Sequence, residues 1–359
     1  MNLVLNRLDN IKIESKTYEL FPACKMDEIK MCGAMVGVNG DYLVNNENVM
    51  LLAYNAGLKP MMGEYMYRAL MRKPMILFLV PTQEDEFDAT EEELDKRYGM
   101  KNLALNNFAQ AFSIACWFIK DSCVSAIHLY WINLFNGYYS QAIRFMDISM
   151  SDGSITEMEF STEEVNKAVE MMYTVMWYLL PEESRTGDVR MTTSGGTKIT
   201  EVDRAMSTEG KSFARALLIL QEARKTGVLS TKIDKYCAVL ECLFAIEGNH
   251  KENIANITAA VIGKDEAEIK TIRANMRAAY GVRSDYSHGG WLKFLKKNKV
   301  VDLAELSKTI DDYVRRVFSY VITQENLNYN NTKRSEEKVR IHFYKVVKAS
   351  KKREPDKES

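Results

Sequence analysis

The chain has 359 residues, 46% of them hydrophobic and 27% charged, with a formal net charge of -1. This is ordinary globular composition, long for one core, so it predicts two domains; the near-neutral balance argues against an indiscriminate nucleic-acid binder and leaves any RNA contact to local patches. Apolar runs such as MMYTVMWYLL fall short of the ~18 to 20 residues that span a bilayer, the six cysteines have no CxxC spacing, and MNLVLNRLDN reads as no secretory signal, so the expectation is a cytoplasmic protein with reduced thiols and no membrane partner.

The predicted elements begin with a strand-rich stretch from residue 1 to about 60, alternating in LVLNRLDNIKIE and IKMCGAMVGV, with a turn signal at Asn39-Gly40. MILFLV, residues 75 to 80, is a short apolar run that suits a buried strand. Eight acids between Glu84 and Asp95 predict an exposed loop and the first turn of a helix. From Leu105, the spacing Phe108, Phe112, Cys116, Ile119 marks an amphipathic helix ending near Asp121. AIHLYWINLF and YYSQAIRFMDISM flank Asn136-Gly137, a strong signal for a two-residue hairpin turn. Ser161 and Glu164 form a capping box that starts a helix reaching Leu180 before Pro181. Residues 1–185 thus read as an α+β domain, followed by a polar Gly/Ser/Thr linker over 186–203.

No proline occurs between Glu182 and Glu354, so the second half lacks the main helix breaker. Helical spacing predicts a helix through Phe213, Leu217 and Leu220 ending at Gly227, and one from Leu229 to Phe244. A shorter one with Ile254, Ile257 and Val261 stops at Gly263. Two more follow, through Ile269, Ile272, Met276 and Tyr280, and from Leu303 to Val321. Five helices with short connections predict an all-α antiparallel bundle over 204–324. Residues 325–359 form a basic tail whose IHFYKVVK segment suits a strand or a helix and whose last residues suit disorder.

The stretch RSDYSHGG, Arg283 to Gly290, carries the chemistry. An arginine offers a permanently charged planar fork that matches phosphate oxygens, and a histidine takes and gives protons near neutrality. Together they suffice for attack of an RNA 2′-hydroxyl on its neighbouring phosphate without a metal. On an unbroken helix, five residues turn about 140°, so Arg283 and His288 share a face only if the helix ends near Ser284 to Ser287; otherwise the site is completed across a dimer. Gly281 and the Gly289-Gly290 pair make a local departure from helix plausible.

ARALLILQEARKTGVLSTKIDKYCAVLECLF (Ala214 to Phe244), followed by MRAAYGVRSDYSHGG (Met276 to Gly290), resembles the HEPN superfamily, in particular its Apea-like branch, over roughly 204–324. The resemblance implies a metal-independent endoribonuclease, acting as a homodimer in phage defence (abortive infection) or a toxin–antitoxin pair and leaving a 2′,3′-cyclic phosphate. Arg283 and His288 would be catalytic, with Asp285 and Tyr286 supporting. Lys293, Lys296 and Lys297, with Tyr280 and Trp291 nearby, suit single-stranded RNA. The first domain would then bind a phage-derived trigger or an antitoxin. The alternative is a non-catalytic dimerisation or binding module whose first domain recognises a partner protein.

Nothing at metal-ligand spacing appears, and neither metal nor cofactor is expected. AMSTEGKS (Ala205 to Ser212) loosely fits a phosphate-loop pattern, but the polar KITEVDR before it is no buried strand, so it reads as the start of a helix. His128 reads as a packed or hydrogen-bonded strand residue.

Overall fold

The structure, a computed structural model, describes residues 2–14, 20–24, 41–44, 57–71, 73–80, 86, 88–133, 135–143, 148–179, 212–324, 327 and 333–351. It divides into two units: Met1–Ile148 with Ile155–Thr193, and Ser149–Ser154 with Ser194–Ser359. The expected linker over 186–203, the strand IKMCGAMVGV, the Asn39-Gly40 turn, the basic residues past 351 and the phosphate-loop-like residues 205–211 lie outside the described residues.

The first unit is α+β. Its strands are β1 (Asn2–Asp9), β2 (Ile11–Ile13), β3 (Leu20–Cys24), β4 (Asp41–Val44), β5 (Met75–Val80), β6 (Ser125–Asn133), β7 (Tyr139–Ile143) and β8 (Met158–Phe160). Six form an antiparallel sheet in the order β3-β4-β5-β1-β6-β7, while β2 and β8 pair in parallel. The apolar run read at 75–80 is β5, and it lies beside the central β1 as that run requires. Among the described residues three helices accompany the sheet: α1 (Leu58–Leu70), α2 (Glu91–Ile119) and α3 (Thr162–Leu179).

Strand alternation assigns the two faces. Leu3 and Leu5 of β1 join Leu77, Tyr130 and Ile132 and pack against Leu58, Met62 and Leu70 of α1. On the opposite face Val4 sits between Phe78 and Trp131 in register. There Phe108 of α2 meets Phe78 edge-on at 5.4 Å, and Tyr98 stacks on Trp131 at 4.1 Å.

Several expectations change in this unit. The stretch read as strand-rich up to residue 60 already contains α1 from Leu58. Pro60 is tolerated in the first turn, where its missing N–H has no helical partner anyway, and Gly63 interrupts the helix with φ 78°. Helix α2 starts at Glu91 rather than Leu105, because a reciprocal cap between Thr90 and Glu93 fixes its first turn. Of the eight acids, Glu86 is fully buried; it accepts from Asn2 Nδ2 at 3.2 Å, with Arg97 at 3.7 Å. The hairpin falls at Asn136-Gly137, but strands β6 and β7 stop at Asn133 and Tyr139, so the loop is longer than two residues. The Asn133 carboxamide oxygen accepts from the Phe135 and Asn136 amides, and Gly137 takes positive φ, 72°, while Asn136 does not. The Ser161–Glu164 capping box stands as read, at 3.3 and 3.0 Å.

The second unit is helical: α4 (Ser212–Arg224), α5 (Leu229–Phe244), α6 (His250–Ile262), α7 (Glu266–Ser287), a short 3-10 turn (Lys293–Lys296), α8 (Val300–Ile322) and α9 (Lys333–Lys351). Its core holds most of the apolar spacings read in the sequence, including Phe213, Leu240, Phe244, Ile272, Met276, Ile310 and Val314; in α6 the buried face is Ile254, Ala255, Ala259 and Ile262, while the expected Ile257 and Val261 are only partly buried. Phe213 of α4 meets Phe318 of α8 at 5.3 Å. The five expected helices gain a sixth, because the basic tail folds as α9 and buries Val339 and Phe343. Phe343 packs edge-on against Phe244 of α5 at 4.8 Å.

The segment Ser149–Ser154 also belongs to this unit. Ser149 N–H donates to the Arg224 carbonyl at the end of α4 (2.9 Å), and Ser149 Oγ donates to the Thr226 carbonyl (2.6 Å). The buried Lys232 ammonium donates to the Ala223 carbonyl at 3.0 Å and approaches that of Ser149 at 3.4 Å. These bonds satisfy carbonyls that a helix end leaves open. A Cβ on Gly153 would stand 2.5 Å from the Gly227 carbonyl oxygen, so only glycine fits this crossing.

The docking of α9 is open to measurement. Phe343→Ala leaves a cavity against Phe244 and should lower unfolding free energy by about 3 kcal/mol, read by urea denaturation. An exposed neighbour, Tyr344→Ala, should change it by less than about 0.5 kcal/mol.

Candidate active site

Helix α7 carries the motif. Asp265 caps its start, accepting from Glu268 N–H at 2.8 Å, and it runs as one helix through Ser287. Gly281 lies inside it as an ordinary helical residue. The glycine pair acts only at the end: His288 is the C-cap, Gly289 takes φ 68°, and Gly290 N–H donates to the Asp285 carbonyl at 2.8 Å. That six-to-one bond with a left-handed glycine is a Schellman closure. The helix therefore does not bend Arg283 and His288 together within one chain.

Each side chain then goes its own way. Arg283 faces α5, where Asp234 and Glu241, seven residues apart, lie on one face. Its Nη1 donates to Glu241 Oε1, and its Nε stands 3.4 Å from Asp234 Oδ1. The guanidinium also lies 5.3 Å from the centre of the Tyr280 ring. Burial pulls the Arg283 pKa down, but the hydrogen bond and charge of Glu241 outweigh it and raise it above the ordinary value. Beneath this pair the fully buried Cys237 thiol is pushed up to about 12 by desolvation, which makes it an inert packing group.

Asp285 secures the loop after the helix. It accepts from Lys293 N–H at 2.8 Å and from Lys293 Nζ at 3.1 Å, and those bonds hold its pKa below the ordinary value, the backbone bond foremost. Its role is thus to pin residues 288–293 back onto α7, and no described hydrogen bond joins it to His288. Tyr286 is half-exposed and accepts from Thr231 Oγ1 at 2.9 Å, while Ser287 donates to Asp234 at 2.9 Å.

His288 is exposed and opens on a cleft lined by Ser284, Asp285, Gly290, Trp291, Lys293 and Lys296. No described hydrogen bond engages its ring. Trp291 is 90% exposed, and Lys296 and Lys297 project into solvent. Arg283 does not line this cleft. Imidazole, indole and lysines thus converge as expected, whereas the arginine is committed to α5.

Sequence reasoning missed a histidine that shares a partner with Arg283. His250, the first residue of α6, places Nδ1 2.9 Å from Glu241 Oε1, the same oxygen that binds Arg283. Nothing in the order of residues marks this, because Glu241 and His250 meet only through the turn between α5 and α6. In the first unit, His128 is bonded as read, with Nδ1 3.1 Å from Gln141 Nε2; burial and then Arg7 lower its pKa. Cys116, Cys123, Cys237 and Cys242 form no disulfide, no group of three or more His, Cys, Asp or Glu among the described residues suits a metal ion, and no described helix is long and apolar enough to cross a membrane.

No protein-family model, no curated protein and no solved structure matches the chain. The resemblance to HEPN domains rests on the segments 214–244 and 276–290.

The pinning of the loop by Asp285 gives a signed pH expectation. A carboxyl whose pKa is depressed on folding contributes stability above its unfolded value and loses it as pH falls through the folded one. The Lys293 amide should be protected from hydrogen exchange at neutral pH and lose that protection below about pH 4. In Asp285→Asn the protection should fall at every pH, with the helix amides of α7 unchanged.

Proposed function

We propose that the chain is a metal-independent endoribonuclease of the HEPN type, working as a homodimer in phage defence or in a toxin–antitoxin pair. The observation that carries this reading is the exposed His288 imidazole in a cleft with Trp291, Lys293 and Lys296, a set that suits a single strand, where a base stacks and phosphates meet cations. Arg283 supplies the charge for a phosphate and His288 moves protons. Because the two face apart on one helix, they act on one phosphate when a second copy brings its own helix end to the site. Tyr286 and Lys297, both exposed near the end of α7, would add contacts for base and backbone. The α+β unit is then the part that takes a phage-derived trigger or an antitoxin.

A second reading has an observation of its own. Arg283 is already neutralised by Glu241 and Asp234, as expected of a structural ion pair in a non-catalytic dimerisation or binding module.

Incubating the purified chain with total RNA in EDTA separates the two. The ribonuclease should give discrete cuts ending in cyclic phosphate, and His288→Ala should reduce cutting at least 100-fold with an unchanged melting temperature. Arg283→Ala should also abolish cutting, and it should lower stability as well, since it strands Glu241. Uncut RNA that is nonetheless retained by the protein would favour the binding module.

A further inference from the structure

Glu241 is the shared partner in the cluster on α5, α6 and α7. A carboxylate only accepts hydrogen bonds, so the 2.9 Å contact from His250 requires the proton on Nδ1. In the neutral ring the other nitrogen, Nε2, carries a lone pair, and the His250 side chain is 42% exposed. A carboxylate that fixes the tautomer and leaves Nε2 bare is the arrangement of a general base. The Glu241 oxygen that orients His250 also receives Arg283 Nη1, so base and phosphate-binding cation are held on one atom within one chain. His288 offers no such link to Arg283.

The proposed reaction needs two proton carriers, and each chain has one motif histidine. Building on the ribonuclease reading, we propose that His250 is the base of the reaction and the His288 of the second copy its acid, so that each site draws its base and its arginine from one chain and its acid from the other. His250 Nε2 takes the proton of the ribose 2′-hydroxyl. The freed oxygen pair forms the bond to phosphorus, beside the Arg283 guanidinium. The bond from phosphorus to the 5′-oxygen breaks with its electron pair on that oxygen, which takes a proton from the His288 that the second copy brings to the site. The products are a 2′,3′-cyclic phosphate and a 5′-hydroxyl, and no further reactant is consumed. The substrate class is RNA with an intact 2′-hydroxyl, and DNA is excluded.

A leaving group that needs no acid tells the two histidines apart. RNA oligonucleotides with an ordinary 5′-oxygen or a 5′-bridging sulfur at the cut site would be incubated in EDTA with the full chain and with its His288→Ala, His250→Ala and His250→Gln variants. The glutamine keeps a donor toward Glu241 without a titratable nitrogen, and thermal melts check all three folds. The sulfur substrate should restore most of the activity of His288→Ala. Both His250 variants should stay at least 100-fold down on both substrates. If the unaltered chain cuts and the His250 variants cut within threefold of it, the role of His250 falls while the ribonuclease reading stands. Rescue of the His250 variants by sulfur also overturns the base assignment. If the unaltered chain cuts neither substrate, the ribonuclease reading falls and the role of His250 with it.

Discussion

The ion pair between Arg283 and the two acids of α5 is the constraint around which the helical unit is arranged. Both partners are largely removed from water, with 23% of the Arg283 side chain and 16% of the Glu241 side chain exposed. A charge at that depth is tolerated only when paired, and stranding one member costs several kcal/mol. The pair therefore fixes the rotation of α7 against α5. With that rotation set, Ser287 reaches Asp234 and Tyr286 reaches Thr231, and the last turn of α7 is bonded along its whole inner side. What is left facing outward is the C-cap, which is His288.

The same geometry separates the tasks of the motif residues. Arg283 and Glu241 are structural groups whatever chemistry they carry, and a variant at either changes stability along with any activity. His288 is free of that double duty. Its neighbour Asp285 looks like a candidate to orient the imidazole, but the Lys293 amide and ammonium take its oxygens. The loop that carries Trp291 and the lysines is in this way tied to the helix that carries the histidine.

Local rules made most of the helical unit legible, because its apolar residues recur at helical spacing with no proline to interrupt them. Leu229 to Phe244 and Leu303 to Val321 read directly as the inner faces of α5 and α8. In the first unit β5 and the Ser161–Glu164 cap were equally plain. The failures share a cause, which is contact between residues distant in sequence. Glu86 lies in an acidic run and reads as solvated, yet Asn2, 84 residues away, holds it inside. Asn136-Gly137 marks the hairpin, but the Asn133 side chain decides the loop's length. Helix α1 was hidden because Pro60 and Gly63 are breakers elsewhere and are harmless at the first turn and at an interruption. The partners of Arg283 lie 42 and 49 positions away, and no spacing rule joins a histidine at the start of one helix to an acid near the end of the helix before it.

A phosphodiester meets a specific difficulty at Arg283. It carries one negative charge, no more than Glu241 or Asp234, so charge alone gives it no advantage over the carboxylates already in place. Two features shift that balance. The guanidinium has five donors, and the two acids engage Nη1 and approach Nε, which leaves others for phosphate oxygens. A polyanion also presents several phosphates at once, so Lys296 and Lys297 add attraction that no single carboxylate can match. For the proposed ribonuclease the consequence would be selectivity by length: a mononucleotide would gain one weak contact at a neutralised arginine, whereas a strand extended from Arg283 of one copy to the cleft of the other would gain the lysines and Trp291 as well. On that reading, an arginine held by acids favours extended strands over small phosphorylated metabolites.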